Sequence, residues 1–351
     1  MASIVDFIAQ AQQEYVVGAQ DHKIRLGEMK PCVDETEDGD QWYLQPIQQT
    51  LFQTAAPQFL FSKWSFEQVC KRLKPEDSNM DFRYIRSCGP DLGLQQLGFW
   101  FQVHREREAY LRLRIDPTTN RTDIRGILPG LYQPIDAVPV GRHFEKLIGK
   151  DKPIEFVITD SRWQLTYWEQ LLTQDRHYGI GFRVMGSEVG ALANVRLDVM
   201  LSFRTSHGMV SLPILIDDQS LCTLPYSGVG ATALNRLDLA LQRGTQVAES
   251  AQTAVQSRKD EPIKYAADEF YEIALLYHLP TEVKGLPLEQ PQLFEHIHTK
   301  FDLACLLGQI AADASGRNQL RIESVAGMYL LTGRSRPTRN RNTDVEEEDM
   351  V

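Results

Sequence analysis

The feature that most constrains this chain is a strict alternation near its middle. Val195, Leu197, Val199, Leu201 and Phe203 are apolar, and Arg196, Asp198, Met200, Ser202 and Arg204 stand between them. A side-chain period of two predicts a strand with one face in a core, and the β-branched and aromatic residues on that face suit a pleated surface. The surrounding stretch, 179–216, predicts an antiparallel central sheet. Pro213 in its last segment points to an edge strand or a bulge, because proline cannot donate to a ladder. The opposite face of the 195–204 strand is read as polar, with Arg196 and Arg204 on it.

The 351 residues suffice for more than one domain, and 42% hydrophobic against 24% charged residues predicts a sizeable core. With 37 Lys and Arg against 47 Asp and Glu, the net charge is −10. That excludes a broadly basic nucleic-acid binder but leaves room for a local basic face. The five cysteines are scattered without a CxxC, which fits a reducing cytoplasm and neither a zinc ribbon nor a disulfide framework. No apolar run approaches the roughly 20 residues of a membrane span, so no membrane association is expected. The opening MASIVDFIAQ has no basic region and reads as a mature start.

Residues 1–60 are weakly patterned, and the acidic run Asp34–Asp40 reads as an exposed loop. A helix is expected over 64–74, with Ser65 and Gln68 as a capping box and Pro75 as its stop. A second helix over 91–104 carries Leu94, Leu97, Trp100 and Phe101 inward. Leu111, Leu113 and Ile115 then alternate with Tyr110, Arg112 and Arg114. With a turn at 116–120 and a strand at Ile124–Leu128, this predicts a β-hairpin. Residues 131–149 are expected to turn back into a short helix after Pro139, and a strand at Ile154–Thr159 follows. Asp160 or Ser161 is expected to cap a helix running to Gln174, with Leu165, Trp168, Leu171 and Leu172 inward. Beyond Gly228 the spacing is helical: 230–257, a helix from Asp260-Glu261-Pro262 to about Leu279, then 291–313 and 317–332 with Gly333 as C-cap. The tail joins Arg334, Arg336, Arg339 and Arg341 to Asp344, Glu346, Glu347, Glu348 and Asp349, and is expected to be disordered. The fold class is therefore α+β: a central antiparallel sheet with flanking helices, a helical C-terminal half and a charged tail. The expected division is an N-terminal segment 1–60, a core domain 61–227, a helical domain 228–333 and a tail 334–351.

No standard catalytic motif is present, and no cofactor is called for. Gly228–Ala233 (GVGATA) falls short of a dinucleotide fingerprint and reads as a turn before a helix. His296 and His298 on a helix would face apart, so two surface histidines are expected rather than a metal site. Ser206-His207 lacks a recognisable acid. The arginines are the candidate binding set: Arg112, Arg114 and Arg125 on the hairpin, and Arg183, Arg196 and Arg204 on the central strands. Beside Tyr110 they could track a phosphate backbone and stack bases of single-stranded DNA. The alternative is a solvated face, or arginines paired with Glu106, Glu108, Glu188 and Asp198. The acidic tail reads either as a competitor for such a groove or as a solubilising end.

Arg125–Asp136 (RGILPGLYQPID), Gly186–Leu192 (GSEVGAL) and Arg321–Gly327 (RIESVAG) occur in this order. They resemble the signatures of the phage and plasmid family known as domain of unknown function 932, over roughly residues 60–330. The matching positions are Tyr132, Pro134, Asp136, Ser187, Glu188 and Gly190. The chain departs from the family at Pro129-Gly130-Leu131, where the family has Ser-Asp-Arg, and at Arg204–Gly208. The resemblance implies a mobile-element origin, a bacterial host cytoplasm and a role in DNA metabolism. Read without the family, Pro134 fixes a strand exit, Asp136 is placed to cap the following turn, and Glu188 answers an arginine or a turn amide unless it is a functional carboxylate.

The leading expectation is a non-enzymatic protein of DNA metabolism, binding or annealing single strands through an arginine-bearing sheet. The alternative is a protein–protein interaction or assembly factor, with a protein partner or a homo-oligomer. An enzyme would need Glu188, Asp136 and His207 to share a pocket.

Overall fold

The structure, a computed structural model, describes residues 2–37, 39–47, 57–73, 84–85, 88–116, 118–150, 152–170, 178–192, 194–205, 208–215, 220–226 and 232–334. In chain order, β1 (Ala2–Ser3) leads into α1 (Ile4–Ala11), followed by one π-helical turn over 12–16. Strands β2 (Ala19–Arg25), β3 (Met29–Thr36), β4 (Gly39–Pro46) and β5 (Phe59–Phe61) precede helices α2 (Lys63–Leu73) and α3 (Pro90–Val103). Then come β6 (Glu108–Ile115), β7 (Thr122–Pro129), α4 (Ala137–Ile148), β8 (Pro153–Ile158) and β9 (Trp163–Gln170). Strands β10 (Tyr178–Gly186), β11 (Asn194–Thr205), β12 (Gly208–Ile214) and β13 (Cys222–Pro225) complete the β part. The rest is helical: α5 (Ala233–Lys259), α6 (Ala266–Leu276), α7 (Thr281–Glu289), α8 (Lys300–Asp313) and α9 (Gly316–Thr332). The fold is α+β with a helical C-terminal half, as the patterning predicts. One sheet runs β2-β6-β7-β5-β4-β3, and the other β1-β8-β9-β10-β11-β12 with β13 beside β11.

Contacts divide the chain into two units, 1–166 with 184–195 and 223–235, and 167–183 with 196–222 and 236–351. In the first, the six-stranded sheet buries Ile24, Leu44, Leu111, Leu113, Ile124 and Ile127 together with Phe66 and Val69 of α2 and Leu97 and Phe101 of α3. The alternation in β6 sets this, because Leu111 and Leu113 lie on one face. The 1–60 stretch is therefore not a separate segment: β2 pairs with β6, and β5 runs parallel to β7. The acidic run is the end of the β3–β4 hairpin, with Glu35 opposite Asp40, rather than a free loop. Its ladder was not visible in sequence because charge masks the alternation there.

Several helix expectations change for local reasons, and α4 starts at Ala137, ahead of Pro139 rather than after it. Ser65 lies inside α2, and the reciprocal cap is one turn earlier: the Ser62 hydroxyl accepts from the Ser65 amide at 3.1 Å and the Ser65 hydroxyl from the Ser62 amide at 2.9 Å. Pro262 opens no helix. It bridges to Thr299, and the Ile263 amide donates to the His298 carbonyl at 2.9 Å, so α6 begins at Ala266 and α8 at Lys300. His296 and His298 consequently precede α8 rather than sit in it. The helix expected from Asp160 or Ser161 is instead β9. Thr159 and Arg162 close a turn, the Thr159 amide donating to the Arg162 carbonyl at 2.9 Å. Trp163, Leu165 and Tyr167 are buried on one face of the strand with Thr166 and Trp168 on the other, while Leu171, Leu172 and the rest of the expected helix to Gln174 lie outside the described residues. Aromatic and β-branched residues here outweigh the chance helical spacing of Leu165 and Trp168.

In the second unit β11 and β12 pair antiparallel, with Leu201 opposite Leu212 and Phe203 opposite Val210. Strand β12 ends the sheet order, in keeping with Pro213 inside it. Helices α8 and α9 pack on β12 at glycines: a side chain at 308 would meet Val210 and Leu212, and one at 327 would collide with the Pro213 carbonyl. Gly333 takes φ 61° and closes α9 as expected. Over its middle the second face of β11 is not solvated, since Asp198, Met200 and Ser202 are all buried beside Val199 and Leu201, and only Arg204 at its end is exposed.

Gly327 gives a prediction whose sign separates packing from propensity. Gly→Ala within an exposed helix stabilises by about 1 kcal/mol. Gly327→Ala is instead expected to destabilise by roughly 1–3 kcal/mol, since the neighbour is backbone and cannot swing aside. Chemical denaturation of the variant against the parent chain measures it.

Candidate functional site

The site is assembled on β6 of the first unit. Arg112 lies on the face opposite Leu111 and Leu113, and its register partner on β7 is Gly126. With no side chain there, the loop after β10 approaches closely: a Cβ on Gly126 would stand 3.4 Å from Val189. Gly190, at φ 71°, turns that loop. Helix α2 holds it too. The Gln68 amide nitrogen donates to the Val189 carbonyl at 2.6 Å, and the Gln68 amide oxygen accepts from the Ile127 amide at 2.9 Å.

Arg112 is thereby buried, 3% exposed, and every arm of its fork is engaged. It donates to both oxygens of Asp136 at 2.8 and 3.0 Å, to the Glu188 carbonyl at 2.9 Å and to Asp21 at 3.2 Å. Glu188 Oε2 lies 3.8 Å from Arg112 and 3.7 Å from Arg125. Arg125 also donates to the Tyr15 carbonyl at 3.2 Å and sits over the Tyr15 ring. Asp136 occupies the N-cap position of α4 without capping it. Its carboxylate is taken by Arg112, and Glu188 accepts from the Ala137 amide at 3.1 Å in its place. Glu188 therefore answers both an arginine and a helix amide.

Aromatics close one side. Tyr132 stacks on Tyr226 at 5.1 Å and lies 5.5 Å from Tyr110. The Tyr132 hydroxyl donates to the Ser187 carbonyl at 3.4 Å, and the Ser187 amide donates to the Tyr226 hydroxyl at 2.6 Å. The Ser187 hydroxyl donates to the Ser161 carbonyl at 2.6 Å and accepts from the Ala191 amide at 2.8 Å. Tyr110 donates to Asp21 at 3.3 Å. Pro134 is exposed between buried Tyr132 and Ile135, at the exit from β7.

Two cations, Arg112 and Arg125, thus face three carboxylates, Asp21, Asp136 and Glu188. The set is neutral when Glu188 carries a proton. Burial, reinforced by Asp136, pushes the Glu188 carboxyl up to about 7, while Arg112 and Arg125 pull against the shift. Burial disfavours the Arg112 charge, but Asp136, Asp21 and Glu188 outweigh it and hold its pKa above the ordinary value. Burial lowers that of Arg125 despite Glu188. It raises the phenols of Tyr15, Tyr132 and Tyr226, which stay neutral. The arrangement holds a loop, a helix start and a hairpin together. Glu188 and Arg112 are shielded from solvent.

The expected arginine face is corrected by this geometry. Arg112 and Arg125 belong to the buried cluster, and Arg114 pairs with Glu14 at 3.1 Å. In the second unit Arg183 is buried between Glu323 of α9 at 2.5 Å and Asp198 at 3.3 Å. Arg196 reaches Asp198 at 3.4 Å and donates to the Ser220 hydroxyl at 2.8 Å. Arg204 is exposed. Acids distant in sequence meet these strands, so the polar positions turn inward. Glu106 and Glu108 answer other cations: Glu106 faces Arg25 and Arg105, and Glu108 faces Lys23. Asp21, Glu14, Tyr15, Tyr226 and Gln68 escape sequence reasoning. The one available signal is Gly126, a glycine inside a strand.

Glu188 and Asp136 do come together, around Arg112, whereas Ser206 and His207 lie outside the described residues, as do 228–231 of GVGATA and the tail from 335. Among the described residues no group of three or more His, Cys, Asp or Glu is placed to hold a metal, and no helix is long and apolar enough to cross a membrane. None of the five cysteines is in a disulfide. No family model, curated protein or solved structure matches the chain.

Arg112→Met leaves buried carboxylates without their cation and is expected to cost about 3–5 kcal/mol of unfolding free energy. Arg112→Lys should fall short of rescue, lacking the fork. Equilibrium denaturation checks both. Glu188 sets a pH dependence. Its folded pKa of about 7 exceeds the ordinary 4.5, so the folded state binds the extra proton between those values. Its contribution to stability is full below about 4.5, falls as pH rises toward about 7 and is flat above, opposite to a salt-bridged carboxylate. Glu188→Gln keeps the acceptor for Ala137 and should remove this slope in denaturation midpoints taken across the window.

Proposed function

We propose that the protein is a non-catalytic binding protein of a phage or plasmid that acts by docking a protein partner on its helical half. The observation that carries this reading is α6. Its Phe270, Ile273 and Ala274 are buried, while Tyr271, Leu275 and Leu276 are 45, 45 and 42% exposed and Tyr265 before it is 61% exposed. Leu288 on α7 and Leu239 on α5 are exposed as well. Large apolar side chains gathered on one helix mark an interaction surface more often than singly scattered ones do. The mobile-element origin rests on the resemblance alone, whose segments Tyr132–Asp136 and Ser187–Gly190 pack on each other around Arg112 while Glu323 of the third holds Arg183. The single-stranded DNA reading draws less support, because five of its six arginines are answered by carboxylates.

A photo-cross-linking amino acid at Tyr271, with one at Leu147 on α4 as reference, tests this in extract of a bacterial host. A discrete protein adduct from position 271 alone, lost on Leu275→Glu, is the expected result. An adduct of twice the chain mass would make the partner a second copy. Absence of any adduct, together with tight and steeply salt-dependent binding to a labelled single strand, would overturn the reading in favour of DNA.

A further inference from the structure

A groove of about 540 Å³ opens in the second unit among α7, the 3-10 turn Pro291–Phe294, α8 and the start of α9. Its floor is aliphatic: Val283, Leu306 and Ile322 are buried there, and Leu286, Leu293 and Ile310 are half-buried along it. The polar lining residues include Glu282 and Asp313, both exposed, with Gln290, Gln309 and Asn318. Among the described residues, none that lines it is Lys, Arg or His.

We infer that this groove is the docking site for a basic amphipathic helix of a protein partner, an inference that rests on the partner-binding reading above. Charge complementarity argues the sign: the described residues that border the aliphatic floor include two carboxylates and no cation, which suits leucine- or isoleucine-like anchors flanked by Lys or Arg. Backbone chemistry argues the helix. Every wall is helical or a helical turn, with no strand edge to pair against. An extended peptide would lay unpaired N–H and C=O groups over aliphatic side chains, whereas a helix satisfies its own. Anchors at i, i+3, i+4 and i+7 present one apolar stripe to such a groove.

The test is fluorescence anisotropy on the full chain with a labelled Leu/Lys amphipathic helical peptide. A Leu/Glu counterpart and a scrambled Leu/Lys peptide without an apolar stripe are the comparisons. The Leu/Lys helix is expected to bind, and the other two are not. Ile310→Lys should weaken it at least about tenfold. Glu282→Lys/Asp313→Lys should weaken it and recruit the Leu/Glu helix, a gain that a misfolded variant would not produce. Leu147→Ser, on α4 in the first unit, should leave binding unchanged. Failure of the Leu/Lys helix to bind, equal binding of the scrambled peptide, or indifference to the groove substitutions would overturn the inference. In that event a persisting adduct at position 271 confines the failure to the groove, and loss of the adduct extends it to the partner reading.

Discussion

The guanidinium of Arg112 is the contact on which the first unit depends. A planar fork with five donors lets one side chain bind the start of α4 through Asp136, the loop after β10 through the Glu188 carbonyl, and β2 through Asp21. Burying that charge is costly in itself, and only a surrounding set of acceptors makes it tolerable. The consequence is positional: each bound element has one place to be. Glu188 takes over the cap of α4 because Asp136 is occupied, and Gly126 and Gly190 are small because the loop must lie flat against β7.

Arg183 repeats the logic in the second unit. It stands on β10 and is met by Asp198 from β11 and Glu323 from α9. A strand position that reads as solvent-facing becomes buried when a helix lowers a carboxylate onto it. A buried ion pair contributes little net stability, and its retention is better understood as fixing which helix face meets which strand.

Much of the architecture was legible in the residues. The alternation of β6 and β11, the helical spacing of 230–332, the Gly333 stop and the edge position of Pro213 all express local backbone preferences that tertiary contacts did not override. The N-terminal strands were not legible, because their alternation is broken by charge at β3 and β2. Nor was β9, where leucine and tryptophan spacing fits a helix as readily as a strand. Within the site, the motif residues Tyr132, Asp136, Ser187 and Glu188 could be singled out from the sequence, whereas Asp21 and Tyr15, far from them along the chain, could not.

By itself the sequence determined that this is an α+β chain with a helical second half and strands bearing arginines at alternate positions. Periodicity carries that much, since it records which face of an element meets a core. Only the tertiary structure decided what the arginines meet. Alternation distinguishes the two faces of a strand without saying whether the second one meets water, a helix or a loop. The acids that answer Arg112 and Arg183 lie 91, 24 and 140 positions away for Asp21, Asp136 and Glu323. Pairing across such separations is set by packing, and no local pattern encodes it.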